Sequence, residues 1–211
     1  MLRRIIYLHG FASSPSSRKA QFFRERFERE GVPVEAPALD GGNFERLTLT
    51  GQLDIVARAA RGEPVWLIGS SMGGYLAALY AARHPEVEKA VLLAPGFAFA
   101  KRWPEVMGVE VFEQWRRTGV TEVFHYGEQR PARLGFQLHQ DALGYEENPP
   151  VTQPVLIFHG YYDDVVPYQS SESFARRRSN VILHILNTGH EMIDVLEPIW
   201  QSTRQFLLGQ D

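Results

Sequence analysis

Short runs that are apolar on both faces alternate along this chain with longer amphipathic stretches, and that rhythm restricts its fold more than any other feature. Residues 4–8, 33–36, 65–68, 90–93, 155–158 and 182–186 are rich in Val, Ile, Leu or aromatics, and most stop at Gly, Pro or Asn. A strand without a polar face must be covered on both sides, as parallel strands are. Between these runs, residues 17–30, 47–61, 72–83, 169–177 and 191–208 carry helical periodicity. The expectation is an α/β fold with about six mostly parallel strands and helices on both faces.

Nearly sixty residues separate "LLAP" from "VLIF", far more than a crossover needs. This insert, at about 97–150, is aromatic, and residues 120–136 suggest a hairpin turning near Gly127. We expect a small cap over the carboxyl ends of the strands, where open α/β sheets bind ligands. No repeat or low-complexity linker divides the chain, so residues 1–211 are expected to form a single domain carrying that cap. With 44% hydrophobic and 22% charged residues, composition is that of a soluble globular protein. A net charge of -3 and a densest basic run of only Arg176, Arg177 and Arg178 speak against nucleic-acid binding. Absence of cysteine excludes disulfides, thiol catalysis and thiolate metal sites. The apolar run after Arg3 and Arg4 is too short for a signal-peptide core, and no stretch approaches a membrane span, so a cytoplasmic location is expected.

Four short segments carry the chemistry, and each follows an apolar run. In "WLIGSSMGGYL" the spacing Gly69-x-Ser71-x-Gly73 fits a nucleophile at the apex of a strand–turn–helix unit, where side chains at either glycine would collide with strand or helix. Ser70 is out of register, because Ile68 and Met72 would occupy its glycine positions. The same turn aims the Met72 N–H at an anion. In "YLHGFASS" the pair His9-Gly10 lets the loop present the Phe11 N–H to the same oxygen, while His9 fixes the loop by hydrogen bonding. "FHGYYDDVVP" offers two carboxylates just past a strand, Asp163 and Asp164. Finally, "LNTGHEMID" places His190 in a loop before the last helix, as a general base for serine requires. His84, His125, His139, His159 and His184 lie in poorer positions, and no His/acid grouping has metal-ligand spacing, so neither metal nor cofactor is expected. The order serine, acid, histidine is that of α/β-hydrolases.

On these residues the chain resembles a compact α/β-hydrolase-fold serine esterase. "LHGFASSPSSRKA" is similar to the opening of small bacterial YqiA-type esterases, and "HGYYDDVVP" to a His-Gly-x-x-Asp-x-x-Val-Pro pattern whose acid corresponds to Asp163. The resemblance implies a catalytic triad of Ser71, Asp163 and His190, with an oxyanion hole from Phe11 and Met72. It implies hydrolysis of a small-molecule ester through an acyl-enzyme. Because His190 must be neutral to act, activity is expected to fall on acidification. Phe11, Met72, Phe97, Phe99 and parts of Trp103 are expected to line the pocket and select an apolar acyl or aromatic group. A thioesterase or a peptidase would use the same machinery; a catalytically silent small-molecule receptor on this fold is the rival from outside enzymology. Monomer and homodimer both remain open.

Overall fold

The structure is a computed structural model that describes residues 3–176 and 178–209. The chain begins with β1 (Ile5–Leu8), α1 (Arg18–Arg29) and a two-residue β2 (Val34–Glu35). The side chain of Ser17 caps α1 by accepting from the Ala20 N–H, and Ala20, Phe23 and Phe27 recur at helical spacing on its buried face. A 3-10 turn at Phe44–Arg46 precedes α2 (Leu49–Ala60), which starts at Thr48, whose side chain accepts from the Gly51 N–H. Next come β3 (Val65–Ser70), α3 (Met72–Ala81) and β4 (Val87–Leu93). The segment after β4 forms α4 (Phe99–Met107), α5 (Val109–Thr118), a hairpin of β5 (Val120–His125) and β6 (Arg130–Gly135), and α6 (Gln137–Ala142). The chain then returns through β7 (Val155–Gly160), α7 (Gln169–Ala175), β8 (Val181–Leu186) and α8 (Leu196–Leu208).

Six strands form one sheet in the order β2-β1-β3-β4-β7-β8, all paired in parallel. From β1 the chain moves outward to β2 and then returns to the other side at β3. That reversal leaves the crevice of a doubly wound sheet at the carboxyl ends of β1 and β3. One face packs Tyr7, Ile68, Val91 and Phe158 against α1 and α8; the other packs Leu8, Leu67, Leu92 and Ile157 against α2, α3 and α7. Every residue of α3 is buried, and this central helix is apolar all round.

The expected strands and helices are present with shifted ends. The apolar runs stop short of the strands: β3 and β7 continue to Ser70 and Gly160, and β4 begins at Val87. A helix expected over 191–208 is interrupted. Met192 is left-handed, a 3-10 turn spans Ile193–Val195, and α8 proper begins at Leu196. The expected end of the preceding helix at Arg177 lies outside the described residues. In the insert the hairpin is present and turns around Gly127, whose N–H donates to Ala12 O at 3.2 Å. Phe112, Trp115, Leu134, Phe136 and Leu138 form a separate apolar cluster that also takes in Ala12, Phe44 and Met72, so the insert rests on the loops at the carboxyl end of the sheet.

Candidate active site

The turn from β3 into α3 is tight because two glycines let backbones meet. A Cβ on Gly69 would sit 2.2 Å from Gly73 O, and one on Gly73 would sit 2.1 Å from Leu8 O. Between them Ser71 adopts φ 55° and ψ −120°, a conformation that costs a non-glycine residue free energy and is held only by its surroundings. Those surroundings are specific. Ser71 N–H donates to Leu93 O at 2.8 Å, while Ser71 O accepts from Gly74 and Gly96 at 2.9 Å each. The serine hydroxyl is thereby fixed at the crevice beside β1.

His190 reaches the serine from the loop after β8. Its Nε2 lies 3.1 Å from Ser71 Oγ, and its Nδ1 lies 2.7 Å from Asp163 Oδ2. With Asp163 accepting at Nδ1, the imidazole carries its proton there and turns an acceptor to the serine. Thr188 donates to Asp194 within the same loop, and Lys19 Nζ donates to Glu191 O, so the loop is tied to the start of α1.

The Asp163 side chain is fully buried, and all of its acceptor capacity is used on one small cluster. Oδ1 accepts the N–H groups of Val165 and Val166 at 2.9 and 2.8 Å, and Oδ2 lies 3.1 Å from His159 Nε2 as well as against His190. Burial pushes the carboxyl pKa up. Hydrogen bonds from His159, His190 and the Val166 N–H outweigh that, holding it well below the usual carboxylate range. Asp164, the other carboxylate of the segment, is exposed and takes no part. His159 is wholly buried. It also meets Ser171 Oγ at 2.7 Å and donates toward Val166 O at 2.9 Å, bracing the acid loop.

His9 has a comparable bracing role on the opposite wall. Its Nδ1 donates to Gly10 O at 3.0 Å, and its Nε2 accepts the Leu39 N–H at 3.3 Å. Because a peptide is planar, fixing the Gly10 carbonyl also fixes the direction of the Phe11 N–H. Met72 is the first residue of α3, where backbone N–H groups lack helical partners. Among the described residues, no turn or loop hydrogen bond takes up either N–H.

A cavity of about 790 Å³ opens beside Ser71 and His190, lined on its apolar side by Phe11, Tyr126, Val165 and Ile193. The expected pocket residues Met72, Phe97, Phe99 and Trp103 are not part of it, which corrects that expectation for them. Phe97 is 1% exposed and stacks on Phe174 in the core at 4.3 Å. Phe99 packs on Tyr75, and Trp103 sits behind Phe11 against Trp115, at ring distances of 5.8, 5.9 and 5.0 Å. Nothing in a run of aromatics tells a wall from the core behind it. The cavity instead takes Tyr126 from the hairpin, together with Tyr7 and the start of α1.

Asp40, His125 and Glu128 bring one possible ligand atom each within 4.8 Å of one another, a grouping invisible to spacing because the loop after β2 meets the hairpin. None of the three lines the cavity at Ser71. Among the described residues, no helix is long and apolar enough to cross a membrane.

The architecture has close counterparts among solved structures. A protein from Agrobacterium vitis S4 superposes with a TM-score of 0.83 at 23% identity, over 97% of this chain and 88% of that one. Mouse alpha/beta hydrolase domain-containing protein 10 gives 0.80 at 23% identity, over 97% and 89%. Est1E from Butyrivibrio proteoclasticus gives 0.79 at 23% identity, over 98% and 87%. The chain thus has the α/β-hydrolase fold. No curated protein matches it. The model of UPF0227, described as an uncharacterised protein family, matches residues 4–206, and the chain belongs to that family.

Proposed function

We propose that the protein is a serine hydrolase that cleaves carboxylic esters through an acyl-enzyme. The observation that carries this reading is the unbroken chain of contacts from Asp163 through His190 to Ser71, seated on a strained turn. In this mechanism Ser71 Oγ attacks the ester carbonyl as His190 Nε2 takes its proton. Asp163 holds the imidazole by its Nδ1 proton and stabilises the imidazolium. The developing oxyanion is met by the Phe11 and Met72 N–H groups, two fixed donors of the kind worth about 10²–10³ in rate each. His190 then protonates the leaving alcohol, and water activated by the same imidazole releases the acid. Asp163 suits the orienting role because its carboxyl stays ionised well below neutrality.

A cavity of about 790 Å³ lies within the range of about 300–1,000 Å³ usual for small-ligand sites, which supports a small-molecule ester as substrate. The test is initial rates on p-nitrophenyl esters from acetyl to palmitoyl, with Ser71→Ala beside the wild type. Turnover by the wild type alone supports the assignment, and the optimum chain length sizes the pocket. Equal turnover by both proteins refutes it.

A further inference from the structure

The cavity at Ser71 has polar chemistry that ester cleavage alone does not use. Besides its apolar wall it is lined by Ser14, Ser17, Arg18 and Lys19 at the start of α1, and by Tyr7 and Ser70 at the ends of β1 and β3. Tyr7 is 0% exposed, and its hydroxyl makes no hydrogen bond of ordinary length among the described residues, although the Ser70 and Ser17 side chains lie close enough to act on it. A buried polar group without such a bond is unfavourable and calls for an occupant that supplies one. Burial also holds the phenol pKa far above its ordinary value, so the hydroxyl stays a donor.

The start of α1 has the same bias. Its first turn contains no acidic residue, and the Arg18 and Lys19 N–H groups open the helix, where partial positive charge gathers. The Arg18 side chain is exposed, with no ion pair or hydrogen bond among the described residues. Lys19 Nζ is nearly buried and lies 3.8 Å from a Glu191 carboxylate oxygen. Glu191 lines the cavity too, but its side chain is 76% exposed, so solvent screens its opposing charge. Serine hydroxyls, an unpartnered guanidinium, a buried phenol and a helix start thus offer donors with little acceptor competition.

Building on the serine-hydrolase reading, we propose that this end of the cavity binds a small anionic group, carboxylate or phosphate, carried by the ester. The substrates are then anionic esters, and the preferred acyl or alcohol part is not purely apolar. Binding is measured first, by calorimetric titration of Ser71→Ala with monomethyl glutarate and with methyl pentanoate, its neutral counterpart. The charged ester is expected to bind at least about tenfold tighter, the worth of a hydrogen bond to a charged group. In the double variant carrying Arg18→Ala, an exposed position, that ratio falls toward one. Equal binding of the two esters by Ser71→Ala overturns the proposal. Competition separates the sources: displacement of monomethyl glutarate by glycerol 3-phosphate more readily than by glutarate assigns a phosphate, and the reverse assigns a carboxylate. Rates on the two methyl esters, followed by pH-stat, keep the two readings apart. An inactive wild type that still prefers the anion refutes ester cleavage and retains the anion site, whereas active turnover without any preference does the opposite.

Discussion

Replacing Gly73 by alanine tests whether the close approach of α3 to the loop after β1 is what the elbow needs. The added Cβ would lie 2.1 Å from Leu8 O, 2.5 Å from His9 O and 2.6 Å from Leu8 C. All three are backbone atoms, and Leu8 is held in register with Gly69. An ordinary contact of more than about 3 Å therefore requires roughly 1 Å of relative backbone movement, in an interior packed too tightly to absorb it. Overpacking of this kind costs about 1–3 kcal/mol, which for a chain of this size lowers Tm by about 2–12 °C. The moving parts are the first turn of α3 with Met72 and the loop with Phe11, the two proposed oxyanion donors. A misplacement of about 1 Å costs on the order of 10²-fold in rate, so kcat/KM on p-nitrophenyl butyrate should fall about 10²–10³-fold. Gly189→Ala is the steric control, since its Cβ would come no closer than 3.8 Å to Tyr162 O, and its Tm should stay within about 2 °C of wild type. A Gly73→Ala protein with wild-type Tm and wild-type kcat/KM refutes the reasoning.

His159→Leu strips partners from Ser171 Oγ, Val166 O and Asp163 in a buried site. Chemical denaturation should show a loss of about 2–4 kcal/mol, with kcat/KM reduced by no more than about tenfold because His190 still holds the acid. Asp163 has a depressed pKa in the folded protein, so its stabilising contribution is complete above the unfolded carboxylate value of about 4 and is lost as pH falls toward the folded one. Wild type should therefore exceed Asp163→Asn in Tm at pH 7 and approach it at pH 3; a gap that widens on acidification contradicts the sign. Phe97→Leu should lower Tm yet leave the order of preference along an ester series unchanged, because Phe97 packs on Phe174 and does not face the cavity.

Backbone features were legible where local physics decides them. Apolar runs mark all six strands of the parallel sheet; β1, β3 and β7 are buried on both faces, whereas β8 at the edge is apolar yet leaves Ile182 and Ile185 exposed, and the Gly69-x-Ser71-x-Gly73 spacing records a steric necessity visible in the two close approaches. The order of Ser71, Asp163 and His190 could be read because each follows a strand end, and a parallel sheet gathers those ends on one side. Asp163 needed the surrounding pattern to be preferred over Asp164: the distinction lies in which carboxylate turns inward to two backbone N–H groups and two imidazoles. Cavity residues were legible only in part: Phe11 does line the cavity, as expected. Phe97 read as pocket and packs in the core, and Phe99 and Trp103 are partly buried against core clusters and do not line this cavity, whereas Tyr7, Arg18 and Lys19 read as strand and helix positions and line it. The Asp40, His125 and Glu128 grouping likewise depends on where the hairpin settles, which periodicity does not encode.

The central claim is that Ser71 is an activated nucleophile. Intact-mass analysis after exposure to a fluorophosphonate reads this directly, without a guess at the natural ester. One phosphonyl adduct on wild type, mapped by peptide fragmentation to Ser71 and absent from both Ser71→Ala and His190→Ala over the same interval, is the predicted result. No adduct on wild type, or an adduct that persists in Ser71→Ala, contradicts it.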